Sequence, residues 1–237
     1  MKIIDKKENK IVFSTEMDES LANAIRRYIN HIPTLAIDEV EISKNDSPLY
    51  DETIAHRLGL IPLKMQKIEK NLPVLKISVN KGGFVYSKEL KGNVGVVYGE
   101  IPITSLNKDQ ELELIATVKK GIGKEHAKFC PGLMFYRDIL EVKIKNDCPK
   151  QVIEKLPKEF LKSNSGKVII EDPSLCDACE ECFEVCKRMG KPECLEITPT
   201  GQIVITVESF GQISSEEIFK NSIEALKKDL TEVVKKI

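Results

Sequence analysis

Tryptophan is absent from this chain, and aromatic residues of every kind make up only 5% of it. Sites that hold single-stranded nucleic acid rely on aromatic faces for base stacking, so no such platform is indicated. An excess of charge is missing as well: 36 Lys and Arg against 37 Asp and Glu leave −1 over 237 residues. A protein that grips phosphates by itself shows a basic face, so direct sequence-specific binding of DNA or RNA is disfavoured. No apolar run approaches the ~18 residues of a membrane span. Met1-Lys2-Ile3-Ile4-Asp5 opens no signal-peptide core, and the chain is expected to be soluble and cytoplasmic. Histidine is scarce, at positions 31, 56 and 126 only. No Walker loop, HExxH helix or nucleophile elbow occurs. Gly121-Ile122-Gly123-Lys124-Glu125-His126 lacks the Gly-Lys-Ser/Thr ending of a phosphate loop and reads as a tight connection, with His126 a loop contact. A hydrolase or transferase acting alone is not expected, and no catalytic residue is assigned.

What is present is a 41% apolar chain, enough for one large domain or two to three small ones. Residues 1–14 read as two short strands. Leu21, Ile25, Tyr28, Ile29 and Ile32 form one helical stripe, capped by Thr15-x-x-Asp18 and stopped by Pro33. Arg26 and Arg27 flank that stripe, as a solvated edge or as a partner contact. Residues 35–42 read as a strand, 51–58 as a short helix ended by Gly59, and 72–145 as a β-rich module whose 74–79 and 111–118 stretches alternate at period two. Tyr136 to Ile144 and Ile203 to Glu208 add two more strands.

The seven cysteines are not scattered evenly. Cys176, Cys179, Cys182 and Cys186 have the spacing C-x2-C-x2-C-x3-C of bacterial ferredoxins. One tight loop aims three thiolates at three corners of a four-iron cube, and the fourth iron is reached from elsewhere. Cys148, followed by Pro149, is the candidate. The expected site is therefore one [4Fe–4S] cluster on Cys148, Cys176, Cys179 and Cys182. Zinc, or no metal at all, are the alternatives; structural zinc usually takes two separated ligand pairs, and a second pair is absent. Cys186 and Cys194 are left over, as free thiols or as a pair. Cys130 reads as a small core residue.

At the C-terminal end, Ser214-x-x-Glu217 is a capping box. Behind it Phe219, Ile223, Leu226, Leu230, Val233 and Ile237 step 4-3-4-3-4, a narrow heptad seam. Such a seam serves either the chain's own core or another subunit. Its length, and the second stripe on the first helix, favour a subunit interface.

Three ordered stretches carry a resemblance: Asn23-Ala24-Ile25-Arg26-Arg27-Tyr28, then Ile32 to Ile37, then Leu49 to Leu63. With His126 to Pro131 and Val207 to Gly211, they resemble the alpha-type subunit family of cellular DNA-directed RNA polymerases, and its archaeal D-type members most of all. The resemblance runs over essentially the whole chain. It implies an α+β fold in three parts. A dimerisation domain, an antiparallel sheet plus two helices, takes 1–43 and 202–237. A β-rich insert takes 44–145, and a ferredoxin-like iron–sulfur domain takes 146–201. It implies a non-catalytic platform in a nucleotidyltransferase complex, pairing with the small L subunit and carrying the small N and P subunits and the large catalytic subunits. Arg26, Arg27 and the Pro33–Ile37 loop would then touch the large subunits. Some members bear two cysteine runs; here the stretch before Cys148 lacks the first, so one cluster is expected. A ferredoxin-type electron-transfer subunit of an oxidoreductase is the alternative.

Overall fold

The computed structural model describes residues 1–66, 73–144, 167–170, 183–190 and 195–236. They form an α+β fold that divides into two compact units. The first comprises Met1–Lys6, Val12–Ala22 and Phe135–Thr206; the second comprises Lys7–Ile11, Asn23–Met134 and Val207–Ile237. Cys148, Cys176, Cys179, Cys182 and Cys194 lie outside the described residues, as does Ile237. Cys186 is buried, at the fourth residue of a short helix over 183–188.

Most of a five-stranded sheet lies in the first unit. Its strands are β1 (Lys2–Lys7), β2 (Lys10–Glu16), β9 (Gly132–Ile144), β10 (Lys167–Ile170) and β11 (Leu195–Ser209), in the order β1-β2-β11-β9-β10. The middle strand explains itself. Ile203, Val204, Ile205, Thr206 and Val207 are all buried, on both faces, and an unbroken β-branched run is what a strand covered on both sides requires. The register of β10 against β9 is antiparallel, from Lys167 opposite Lys143 to Ile170 opposite Leu140. Helix α1 (Glu19–Tyr28) starts at Asp18, not Thr15. The Ser20 amide donates to Asp18 Oδ1 at 2.8 Å, and the Ala22 amide donates to the Asp18 carbonyl at 3.0 Å. The Ser20 hydroxyl and amide together hold the Asp18 carboxyl below its usual range, as a helix N-cap does.

In the second unit, β3 (Pro33–Asn45) and β8 (Leu112–Ile122) pair antiparallel over nearly their full lengths, and β4 (Val74–Val79) covers the other side of β8. On β8 the alternation is clean: Leu112, Leu114, Ala116 and Val118 are buried while Glu113 and Ile115 face out. That is the pattern of a strand with one wet face. β6 (Lys91–Gly92) adds a short edge to β4. A second, two-stranded sheet pairs β5 (Gly83–Tyr86) with β7 (Pro102–Leu106). Helix α2 (Asp51–Gly59) packs on β3 and β7, and its Ile54 and Leu58 are fully buried in the core with Leu35, Ile37, Leu75, Leu114 and Ile103.

The polypeptide turns from β11 into helix α3 (Ser215–Val234) through Gly211, at φ +94°. A side chain there is strained by its backbone and would meet Val97 and Tyr98. Gly132 is needed for clearance: a Cβ would lie 2.2 Å from the carbonyl oxygen of Glu208. The capping box opens α3 as expected, with the Glu217 amide donating to Ser214 Oγ and the Ser214 amide to Glu217.

Leu114 is 1% exposed at the centre of this core. Leu114→Ala removes buried methyl groups with no room for collapse, and should cost about 2–5 kcal/mol. Urea unfolding of the purified chain measures it; a loss well under ~1 kcal/mol would mean the core is loosely packed.

Candidate subunit interface

The sequence predicts two apolar stripes that meet: one on the first helix, one on the last. In α1 and the turn after it, Ala22, Ile25, Ile29 and Ile32 are each at most 2% exposed. Leu21 is 46% exposed, so the expected stripe holds at Ile25, Ile29 and Ile32 and differs at its first position, where Ala22 is enclosed instead. Tyr28 is half-buried at its edge. Ile29–His31 then form a single 3-10 turn, which packs against α3.

Along α3 the burial falls off in one direction. Ile218 and Ser222 are fully buried, and Phe219, Ile223, Ala225 and Leu226 are half-buried. Asp229 is the last residue with partial cover; 230–236 are all exposed. Leu230 is 57%, Val233 56% and Val234 71% exposed. The seam is thus continuous, packed at its start and bare at its end. Burying three such side chains is worth roughly 1.5–3 kcal/mol each, which the isolated chain leaves unrealised.

Where cover ends, a polar cluster begins. Tyr28 Oη donates to Asp229 Oδ2 at 3.0 Å. The rings of Tyr28 and His31 stack with centroids 4.5 Å apart, and His31 Nδ1 lies 4.0 Å from the same carboxylate oxygen. The hydrogen bond to Asp229 raises the phenol above its ordinary value, so it stays a donor. Reading Tyr28 as one more apolar residue of the stripe misses this; the signal is its hydroxyl, which a half-buried tyrosine usually pairs.

Arg26 and Arg27 are both exposed but differ in setting. Arg26 is tethered to Asn23 Oδ1 by Nε at 3.2 Å and Nη2 at 2.9 Å. Arg27 lines a cleft with Tyr28, His31, Lys124 and Asp229. Pro33–Ile37 is not a loop. It is the start of β3, with Thr34 to Ile37 buried, and only Pro33 and neighbouring Asp38 reach solvent.

The 126–131 segment is fixed against that strand. Thr34 Oγ1 donates to the Phe129 carbonyl at 2.6 Å, and Lys128 Nζ lies 2.6 Å from Asp38, with Lys119 3.4 Å from its other oxygen. His126 Nδ1 accepts from the Lys128 amide at 3.1 Å, the loop contact expected of it. Cys130 is half-exposed rather than a core residue, with its thiol 3.1 Å from the Gly132 carbonyl. No group of metal-ligating side chains assembles among the described residues, and no helix among them is long and apolar enough to cross a membrane.

The RNA polymerase Rpb3/RpoA insert domain family matches residues 40–131, which begin within β3 and end just before β9. Over almost its whole length the chain is similar to DNA-directed RNA polymerase II subunit rpb3 of Dictyostelium discoideum, at 31% identity over 98% of this chain and 93% of that one. It is similar to DNA-directed RNA polymerase subunit Rpo3 of Thermococcus kodakarensis at 34% identity, covering 95% and 92%. With the Rpo3 of Pyrococcus horikoshii it shares 36% identity over 95% and 93%.

Asp38 yields a pH prediction. Its hydrogen bond from Lys128, aided by Lys119, holds the carboxyl below its ordinary value of 3.8. A lowered folded value means the contribution is full above about pH 5 and is lost as pH falls through the folded value. Asp38→Asn should therefore cost about 1 kcal/mol at neutral pH. The gap to the unsubstituted chain should close in acid. A gap that stays constant from pH 7 to pH 3 in thermal melts would contradict it.

Proposed function

This chain belongs to the Rpb3/RpoA family of DNA-directed RNA polymerase subunits, and from that premise we propose that it is a non-catalytic assembly subunit of such a polymerase, of the archaeal D type. Polymerisation chemistry belongs to other chains of the complex; this one supplies surfaces. The carrying observation is the end-to-end similarity to named polymerase subunits, and the bare end of the α3 seam supports it physically. Dimerisation uses residues 1–43 and 202–237, with 44–145 and 146–201 as successive inserts. The partner on the seam is the small L subunit, which covers Phe219, Ile223, Leu226, Leu230 and Val233. Arg26 and Arg27 lie in the part of the chain that meets the large catalytic subunits, and the small N and P subunits complete the platform. The electron-transfer alternative finds no support in these similarities.

One [4Fe–4S] cluster on Cys148, Cys176, Cys179 and Cys182 belongs to the same reading. Its support is the donor set: four thiolates are what such a cluster takes, and three come from one C-x2-C-x2-C loop. Closing the stretch between Cys148 and Cys176 through metal would help fold that insert.

Two measurements test these statements. Replacing Leu230 and Val233 together by Glu puts two charges into the seam, and should weaken pairing with the L subunit by at least ~100-fold. The melting temperature of the isolated chain should hardly move. Undiminished co-purification of the double variant would remove the pairing proposal. For the cluster, anaerobic purification followed by iron and sulfide analysis should give about four of each per chain. Cys176→Ser should lose them, and a full complement in Cys148→Ser would assign the fourth ligand elsewhere.

A further inference from the structure

The end of α3 carries an unusual combination: a run of exposed apolar side chains that begins one residue after a polar anchor. Asp229 is the last partly covered residue of the helix, and it is the residue that Tyr28 grips at 3.0 Å. His31 stacks on the Tyr28 ring and approaches the same carboxylate. Tyr28 and His31 sit at the end of α1 and in the 3-10 turn that leads into β3, so the anchor reaches α3 from the head of the β3–β8 ladder.

A twenty-residue helix whose last five residues, 230–234, are all exposed tends to fray there, since helical segments gain most of their stability from packing. A frayed end must be reordered when a partner binds, and that ordering subtracts from affinity. An anchor placed just before the bare turns shortens the length free to fray. It also sets the direction in which Leu230, Val233 and Val234 point.

We propose that Tyr28, His31 and Asp229 are positioning residues that clamp α3 at its last packed turn and present Leu230, Val233 and Val234 as a preset arm to a partner helix. The inference rests on the pairing reading above. The charges say what kind of helix fits. At 3.6 residues per turn, Lys227 lies on one margin of the exposed stripe and Asp229 on the other. Asp229 is held by the neutral Tyr28 hydroxyl and keeps its negative charge, while Lys227 is exposed, so the seam has one acidic and one basic edge. The occupant is an amphipathic helix of another subunit whose apolar face carries a carboxylate on the edge that meets Lys227; a basic residue there would be repelled.

The test uses the full chain and the purified L subunit. Tyr28→Phe keeps the ring and its stack on His31 and removes only the hydroxyl; Asp229→Asn removes the charge. Each should weaken binding of the L subunit by about five- to twentyfold, less than the full worth of one hydrogen bond to a charged group, because only the cost of ordering the helix end passes into affinity. In the free chain, amide exchange over 226–234 should quicken, while the melting temperature shifts by no more than ~2 °C. Unchanged affinity in both variants, with the Leu230 and Val233 double variant failing to bind, overturns the clamp and leaves the pairing reading intact. A fall in affinity matched by a general fall in melting temperature also overturns it, since that marks a merely structural role. Binding that survives the double variant overturns the pairing reading and the clamp together.

Discussion

The antiparallel ladder between β3 and β8 is the constraint on which the rest of the second unit depends. It runs from Asn45 opposite Leu112 to Pro33 opposite Ile122. Its far end is where the chain leaves the 3-10 turn Ile29–His31. Beyond Ile122 the chain folds back on that turn, with the Lys124 amide donating to the Asn30 carbonyl at 2.9 Å. Gly121 lies flat against the Phe129 ring, which occupies the place of a side chain. Register in a half-buried ladder is hard to shift, because a one-residue slip would turn every buried side chain outward. The position of Tyr28 and His31 is therefore inherited from a sheet whose own reason for existing is hydrophobic. The polar cluster at the end of α1 needs no rigidity of its own.

Much of this is legible in the sequence, for identifiable reasons. β4 and β8 announce themselves by period two, and α3 by its capping box and seam, because those signals are local and strong. α2 is visible as a stretch ending at Gly59. The pairing of β5 with β7 is not, since both strands are short and their pairing is set by the fold around them. The strand over 35–42 is legible from its residues, and only the family resemblance makes 33–37 a loop; in the structure Pro33 opens the strand, where its missing N–H costs nothing. The stripe of the first helix keeps Ile25, Ile29 and Ile32 as expected and differs at its first position. Leu21 is the larger hydrophobe, yet Ala22 is the one enclosed, because position on the helix and not side-chain size decides which residue faces inward. At the candidate interface, the apolar component is readable and the Tyr28–Asp229 bond is not. Those two residues are 201 positions apart, and no periodicity connects them.

Charge has a consistent role across these surfaces. The chain is nearly neutral overall, but its ion pairs are local: Lys10 with Glu208, Lys44 with Glu111, and Lys128 with Asp38. Each ties two segments distant in sequence. The two exposed pairs, Lys10 with Glu208 and Lys44 with Glu111, contribute little stability, so their main effect is on orientation. A subunit that works by presenting surfaces gains from such fixing, since every loop held in place before assembly is one fewer to order during it.

The division of the chain has a further consequence, for synthesis. The second unit draws on Lys7–Ile11, on Asn23–Met134 and on Val207–Ile237, with 135–206 assigned to the other unit. A ribosome delivers these pieces in order, so the unit cannot close until the whole intervening stretch has emerged. Until then Ile29 and Ile32, buried in the finished fold, lack the helix that packs beside their turn. The nascent chain would carry that unfinished seat through most of translation, and a chaperone that shields short apolar segments would have its longest opportunity there.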